Sequence, residues 1–275
     1  YLAVESNWDV WQHLIETTLL RYFETTGLLL IGVSIIIFLV GVGTAWLVTM
    51  HDFPLKNTFE WLLIFPLALP SYVVAYAYTD LLEFSGVVQS NLRYLFNLGA
   101  GDYWFPDIRS LSGACLVMGF VLYPYVYLLA RSAFLEQSVS ALEANRVLGG
   151  GPLNTFLRVA LPTARPAIIV GMSLALMETM NDYGTVDFFA VPPLTAGLVD
   201  VWLGMNSLSS AAQIASLMLS FVILLLVIEQ ISRVNQKLYQ QESTRFSKLP
   251  IVKLKGVKGK CAFVFCAIPV MIGFS

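Results

Sequence analysis

Charge is scarce in this sequence. Asp, Glu, Lys and Arg make up 12% of its 275 residues, about half of what a water-soluble domain carries. That excludes an ordinary soluble globule. The formal net charge is −2, so no bulk field favours nucleic acid as a partner. There are three cysteines, Cys115, Cys261 and Cys266, without a CxxC pair or zinc spacing, and they read as buried inert thiols. The two histidines, His13 and His51, stand apart without ligand-like companions. Metal catalysis is therefore not expected, and no metal site or cofactor is assigned. The chain also lacks an initiator Met and a signal peptide, and its last residues end inside an apolar run. We expect it to be a piece of a longer polypeptide.

What fills the chain is apolar. Hydrophobic residues make up 57% of it and the mean hydropathy is +0.72. A bilayer-spanning helix needs roughly 20 mostly apolar residues. Five such stretches are legible, at about 26–50, 59–82, 110–130, 164–184 and 209–231, and a sixth starts at Cys261. The expected fold class is an all-α polytopic membrane protein embedded in a lipid bilayer, with five complete membrane helices and the start of another. Pro66 and Pro70 should bend the second helix. Ala212, Ser216 and Ser220 recur every four residues, as in a stripe that packs against another helix of the bundle.

Orientation follows from the bias of Lys and Arg toward cytoplasmic loops. Residues 232–260 hold eight positive side chains against the single acid Glu242, whereas residues 185–208 hold neither Lys nor Arg. Alternation from a cytoplasmic 232–260 puts residues 131–163 and 51–58 in the cytoplasm as well. Residues 1–25 and 83–109 then lie outside, with Arg93 and Arg109 as exceptions to the bias. Arg131 and Glu229 fall at cytoplasmic helix ends, where snorkelling accounts for them. The organisation expected is an external interfacial segment 1–25, a membrane domain 26–231, a basic cytoplasmic linker 232–260, and the truncated start of a second membrane half at 261–275.

One cytoplasmic stretch, EANRVLGGGPLNTFLRVALP from Glu143 to Pro162, is unlike its greasy surroundings. A helix capped by Ser132 can run to Leu148 with Leu135, Val139 and Leu142 on one stripe. Gly149, Gly150 and Gly151 stop it, and Pro152 suits the first turn of the next helix. There Leu153, Phe156, Leu157, Ala160 and Leu161 share an apolar face, opposite Asn154, Thr155 and Arg158. Pro162 and Pro166 should break the chain again and start the next membrane helix. A helix, a sharp turn and a short helix make either an amphipathic connector on lipid headgroups or a docking element for a soluble partner.

These residues carry a resemblance. Glu143-Ala144, Gly149 six positions on, and Val159-Ala160-Leu161-Pro162 resemble the EAA signature of ABC importer permeases of the type-1 transmembrane class. Asn145 stands where that signature has its second Ala, and Val159 where it has Ile. The resemblance implies that this loop couples to a separate ATP-binding subunit, with Glu143, Ala144, Gly149, Val159, Leu161 and Pro162 as coupling residues. The chain has no GxxxxGK[ST] loop, since residues 256–261 fail both the spacing and the final residue. ATP is then bound and hydrolysed by ATPase subunits in trans, and this chain is not an enzyme. Residues 17–232 also resemble the first half of iron(III) importer permeases, notably Glu178 to Phe189. This implies iron(III) as cargo, a periplasmic or extracellular substrate-binding protein, and a second permease half in the same full-length chain. Thiamine and polyamine permeases share some of these features.

The carboxylates Glu178 and Asp182, four residues apart at the outer end of the fourth stretch, are expected on one helical face. Acidic groups at membrane depth are costly and point to function, which makes the pair candidates for a translocation path. Asp80 and Glu83 read as interfacial. A gradient-driven secondary transporter would need paired intramembrane charges or broken helices at mid-depth, and a membrane scaffold would need only the cytoplasmic loop. Those are the readings from other classes.

Overall fold

The computed structural model describes residues 8–99, 101–137, 139–236 and 251–274. It opens with an amphipathic helix α1 (Trp8–Thr17) and then α2 (Leu19–Met50), a span of 32 residues. No proline or charged residue falls between Thr25 and Met50, so nothing in the sequence stops α2 early. Its hydroxyls are satisfied within the helix: Thr26, Thr44 and Thr49 each donate at 2.7 Å to a carbonyl one turn back. The first span thus starts at Leu19 rather than near residue 26. Tyr22, expected at the interface, is buried and donates to Asp200 Oδ2 at 3.3 Å.

The second stretch is not one helix. It is divided into α3 (Lys56–Leu62), a 3-10 turn Phe65–Ala68 and α4 (Ser71–Leu82), followed by a short outer helix α5 (Val87–Phe96). The two parts meet at 92°. Leu69 is extended (ψ 132°) because a residue before proline is pushed out of the α region, and Pro70 is extended in turn (ψ 138°). The expected bend at Pro66 and Pro70 is therefore a full break.

α6 (Leu111–Leu135) starts at Ser110, whose side chain accepts from Gly113 N at 3.2 Å. A cytoplasmic loop follows with α7 (Val139–Val147), α8 (Pro152–Thr155) and a π turn Phe156–Ala160 that runs straight into α9 (Leu161–Asn181). On the outer side come α10 (Tyr183–Phe188), α11 (Leu194–Val199) and a second π turn, Asp200–Gly204. α12 (Leu208–Gln236) returns, and α13 (Val257–Phe274) closes the described chain. Residues 1–7 and most of the expected basic linker, 237–250, lie outside the described residues. Beyond it, a two-residue parallel pairing joins β1 (His51–Asp52) to β2 (Val252–Lys253), extended by Leu254 N donating to Asp52 O at 2.9 Å.

α2, α6 and α9 form the core, around Val33, Ile37, Met118, Tyr123 and Phe134. α9 approaches α6 at Gly171, where a Cβ would stand 2.8 Å from Val126 Cα and 2.9 Å from Tyr125 O. A smaller outer cluster joins Leu14, Tyr22, Leu194, Val201, Ala211 and Ile214. α12 uses Ala211, Ile214, Met218 and Phe221 for that cluster, so the stripe Ala212, Ser216, Ser220 does not pack as expected. Ser216 and Ser220 are exposed and donate to their own helix, to Ala212 O at 2.8 Å and Leu217 O at 2.6 Å.

Two further expectations are corrected. Arg131 does not simply snorkel: its guanidinium reaches Glu60 Oε2 at 2.8 Å, and Tyr127 donates to Glu60 O at 3.2 Å, tying α6 to α3. The apolar run from Cys261 belongs to a helix already begun at Val257. That helix packs on this bundle through Phe263 against Phe59 (5.2 Å), Cys266 and a hydrogen bond from Tyr78 to Ile272 O (2.7 Å). Cys115 and Cys266 are buried as expected, but Cys261 is exposed.

Replacing Gly171 by Val should force α6 and α9 apart and cost about 1–3 kcal/mol, the usual penalty of overpacking. A lower melting midpoint of the detergent-solubilised protein is the expected result.

Candidate functional site

The cytoplasmic loop is built by its breaks. Ser132, expected as an N-cap, lies inside α6, which continues to Leu135. α7 therefore starts afresh at Val139, and its Leu142 is buried while Glu143 and Ala144 face outward. Leu148 N donates to Ala144 O at 3.1 Å and Gly150 N to Asn145 O at 2.9 Å. Gly149 sits at φ +82°, in the left-handed region that side chains disfavour. Gly150 lies so close to Asn145 that a Cβ there would collide with its amide. Gly151 is extended and precedes Pro152 at the first helical position. The turn is tied across its base by Asn145 Nδ2, which donates to Thr155 Oγ1 at 2.8 Å, while Thr155 donates to Gly151 O at 3.1 Å. Asn145, where the EAA pattern has Ala, thus holds the two arms together.

Pro162 stands in the first turn of α9, as expected, but neither it nor Pro166 breaks the chain. Residues Pro152–Asn181 run as one apolar helix, because the segment before Pro162 widens into the π turn, with Leu161 N donating to Phe156 O. A wider turn tolerates the donor that proline removes. From the turn just after α6, Gln137 Nε2 donates to the Ala160 carbonyl and to Thr163 Oγ1, both at 2.8 Å.

The expected apolar face of this segment is split. Phe156 turns inward, with its ring centroid 5.0 Å from that of Trp46 in α2 and 6.5 Å from that of Phe134 in α6. Trp46 and Phe134 meet edge to face at 5.5 Å. Ala160 is buried, as is Thr155, which was expected on the polar face. Val159, Leu161 and Pro162 are half-buried. Left outward are Val147 (87% exposed), Leu148 (86%), Leu153 (70%) and Leu157 (50%), beside Glu143 and Ala144. A folded turn that presents four large apolar side chains has the shape of a docking knob.

A cavity of about 560 Å³ opens at the break between the 3-10 turn and α4. Its walls are Leu67 to Tyr72 at the break, Val121, Leu122 and Tyr125 of α6, and Glu178 with Asn181 to Gly184 at the top of α9. Glu178 and Asp182 therefore face one space, but not from one helix. α9 ends at Asn181, and Asp182 caps α10 by accepting from Thr185 N at 2.9 Å and from Thr185 Oγ1 at 2.6 Å. Glu178 is exposed and accepts no hydrogen bond from the described residues. Tyr183, outside the spans, has its phenol pushed up from the ordinary value by partial burial and then by its hydrogen bond to Asp187. It stays a neutral donor at the cavity wall. Among the described residues, no Lys, Arg or His lines the space.

The two outer arginines that offend the charge bias are occupied locally. Arg109 lies 3.5 Å from Glu83 and 4.9 Å over the Phe188 ring, and Arg93 donates to Tyr103 (2.9 Å) and to Phe84 O (2.8 Å). Asn181 and Tyr183 fell within the stretch Glu178 to Phe189 that carried the resemblance, whereas Tyr125 at the cavity, and Trp46 and Phe134 under the loop, carried no motif that could single them out in the sequence.

Residues 25–239 match the family described as binding-protein-dependent transport system inner membrane component. Among curated proteins the chain is similar to the sulfate transport system permease protein CysT of Salmonella typhimurium. The two are 26% identical over 224 residues, covering 80% of this chain and 77% of that protein. It is also similar to a protein of Salmonella choleraesuis described as a 2-aminoethylphosphonate transport system permease, PhnU. Identity there is 29% over 175 residues, which cover 64% of this chain and 57% of that protein. Among solved structures, a chain of a bacterial ABC transporter for import of the acidic polysaccharide alginate superposes with a TM-score of 0.62 at 14% identity, over 87% of each chain. That likeness is one of fold.

Replacing Asn145 by Ala should remove the tie across the turn at a cost of about 1 kcal/mol. Faster amide exchange over residues 143–156, with unchanged exchange in α6 and α9, is the expected outcome.

Proposed function

The chain belongs to the family of binding-protein-dependent transport system inner membrane components, and on that footing we propose that its cytoplasmic turn is where an ATPase subunit drives it. It is a multi-pass membrane permease of an ABC importer. In this reading a separate ATP-binding subunit seats the knob formed by Glu143, Ala144, Val147, Leu148 and Leu153, and its closing motion reaches the membrane helices through Gly149 to Pro162. The observation that carries the proposal is the outward apolar set on a turn whose inner side is locked by Asn145, Thr155 and Phe156. Unpaired apolar area on a rigid, water-facing turn calls for a partner. An external binding protein delivers cargo at the outer helices α10 and α11, in keeping with a similar alginate transporter solved with its periplasmic protein. A second permease half completes the path.

The cavity beside Glu178 and Asp182 is proposed as part of that path. Iron(III) is the cargo we favour: the resemblance over Glu178 to Phe189 supports it, and so does a wall with two carboxylates and, among the described residues, no cationic side chain. Oxygen donors suit a hard cation, and a carboxylate at membrane depth repels an anion. Thiamine and polyamines, also cations, fit the same wall. The rival reading is an oxyanion, favoured by the sulfate and 2-aminoethylphosphonate permeases to which the chain is similar.

Glu143→Lys and Gly149→Pro should each abolish ATP-dependent uptake while membrane insertion survives, since the first inverts the charge of the knob and the second forbids φ +82°. Normal uptake in both variants would remove the coupling role. For the cargo, labelled Fe³⁺ uptake by cells with the complete permease should exceed labelled sulfate uptake and fall with Glu178→Gln. Sulfate uptake in its place would establish the oxyanion reading.

A further inference from the structure

Beneath the docking knob lies a feature that coupling at the surface does not use. The inner side of the loop ends in the Phe156–Ala160 π turn, and this turn is bound to two other helices as well as to its own. Phe156 sits against Trp46 of α2 and Phe134 of α6, while Gln137, just past the end of α6, donates to Ala160 O and Thr163 Oγ1. Phe134 is wholly buried. On its far side Trp46 meets the His51 ring at 6.1 Å, and His51 is paired through β1 with β2, the entry to α13.

From this geometry we infer that Phe156, with Trp46, Phe134 and Gln137, is the joint that spreads a displacement of the loop into α2 and α6 as well as α9. The inference rests on the coupling function proposed above. A push on an isolated loop would travel only along the covalent chain into α9. The π turn makes that route compliant, because a five-residue turn has longer, weaker hydrogen bonding than an α turn and can exchange register with it. Three rings in mutual contact are stiff by comparison, because packed interiors transmit strain. Edge-to-face and tilted aromatic contacts at 5–6.5 Å add orientation to that stiffness. The side chains thus carry lateral force across the soft place in the backbone. These are positioning residues: they touch neither cargo nor nucleotide.

The test uses the complete permease with its ATPase subunits and binding protein in proteoliposomes. ATPase co-purification, ATP hydrolysis stimulated by loaded binding protein, and cargo moved per ATP are measured on the same preparations. Phe156→Ala and Gln137→Ala should keep the ATPase subunits bound and hydrolysing, yet move roughly three- to tenfold less cargo per ATP, the span expected for loss of a coupling contact. Phe156→Tyr, which keeps the ring, should restore the ratio; retained ATPase binding and hydrolysis beside a lowered ratio in Phe156→Ala is what simple destabilisation of the loop would not give. Gln137 is partly exposed, so its variant remains informative if Phe156→Ala does not fold. A cargo-to-ATP ratio within twofold of the parent in folded Gln137→Ala and Phe156→Ala overturns the joint. Loss of ATPase co-purification in these variants also overturns it, because the residues would then belong to the docking surface. Failure of the parent itself to retain an ATPase subunit would sink the coupling function instead.

Discussion

In hydrocarbon, a peptide group without a partner has no water to turn to, so each proline must be repaired from nearby. The functional geometry of this chain depends on how two such repairs are made. At Pro66 and Pro70 no neighbour rebuilds the helix, and the chain breaks through 92°. At Pro162 the helix survives by widening into a π turn. The first repair leaves a cavity in the membrane. The second keeps the cytoplasmic loop continuous with a span.

These two places are joined through the core. α6 contributes Val121, Leu122 and Tyr125 to the cavity wall and Phe134 to the loop, and Gln137, just past its end, also binds the loop. α9 carries the π turn at its start and Glu178 near its end. Gly171 lets the two helices touch backbone to backbone midway, where little side-chain slack remains to absorb a relative motion. The loop and the cavity are thus linked by the close packing of α6 against α9. Electrostatics are arranged in the same sense. The outer cations Arg93 and Arg109 are held by Tyr103, Phe84 and Glu83, away from a cavity lined by the carboxylates of Glu178 and Asp182.

Much of the fold was legible because the bilayer imposes a coarse rule that composition alone can report. The apolar runs located the spans to within several residues, and the EAA spacing located the loop. Gly149 and Pro152 behave as their backbone chemistry dictates. The misses have physical causes as well. Ser132 looks like a cap, yet its helix simply continues from the membrane, and local capping preference is weaker than an uninterrupted apolar span. The every-fourth-residue stripe on α12 fits close packing, but Ala211, Ile214 and Phe221 bury more apolar area on the adjacent face. Asp182 was placed on the helix of Glu178 by spacing, whereas its carboxylate stabilises the start of α10 by accepting from Thr185.

The amino-acid order by itself determined the class of protein and the position of the tight turn, because these follow from local quantities: hydropathy and the φ values open to Gly and Pro. Only the tertiary structure decided which side chains the turn buries and which it offers. Phe156 and Leu157 are neighbours of like hydrophobicity, and one is seated against Trp46 and Phe134 while the other faces water. That difference is set by two helices remote in sequence, whose contacts no periodicity within residues 143–162 records.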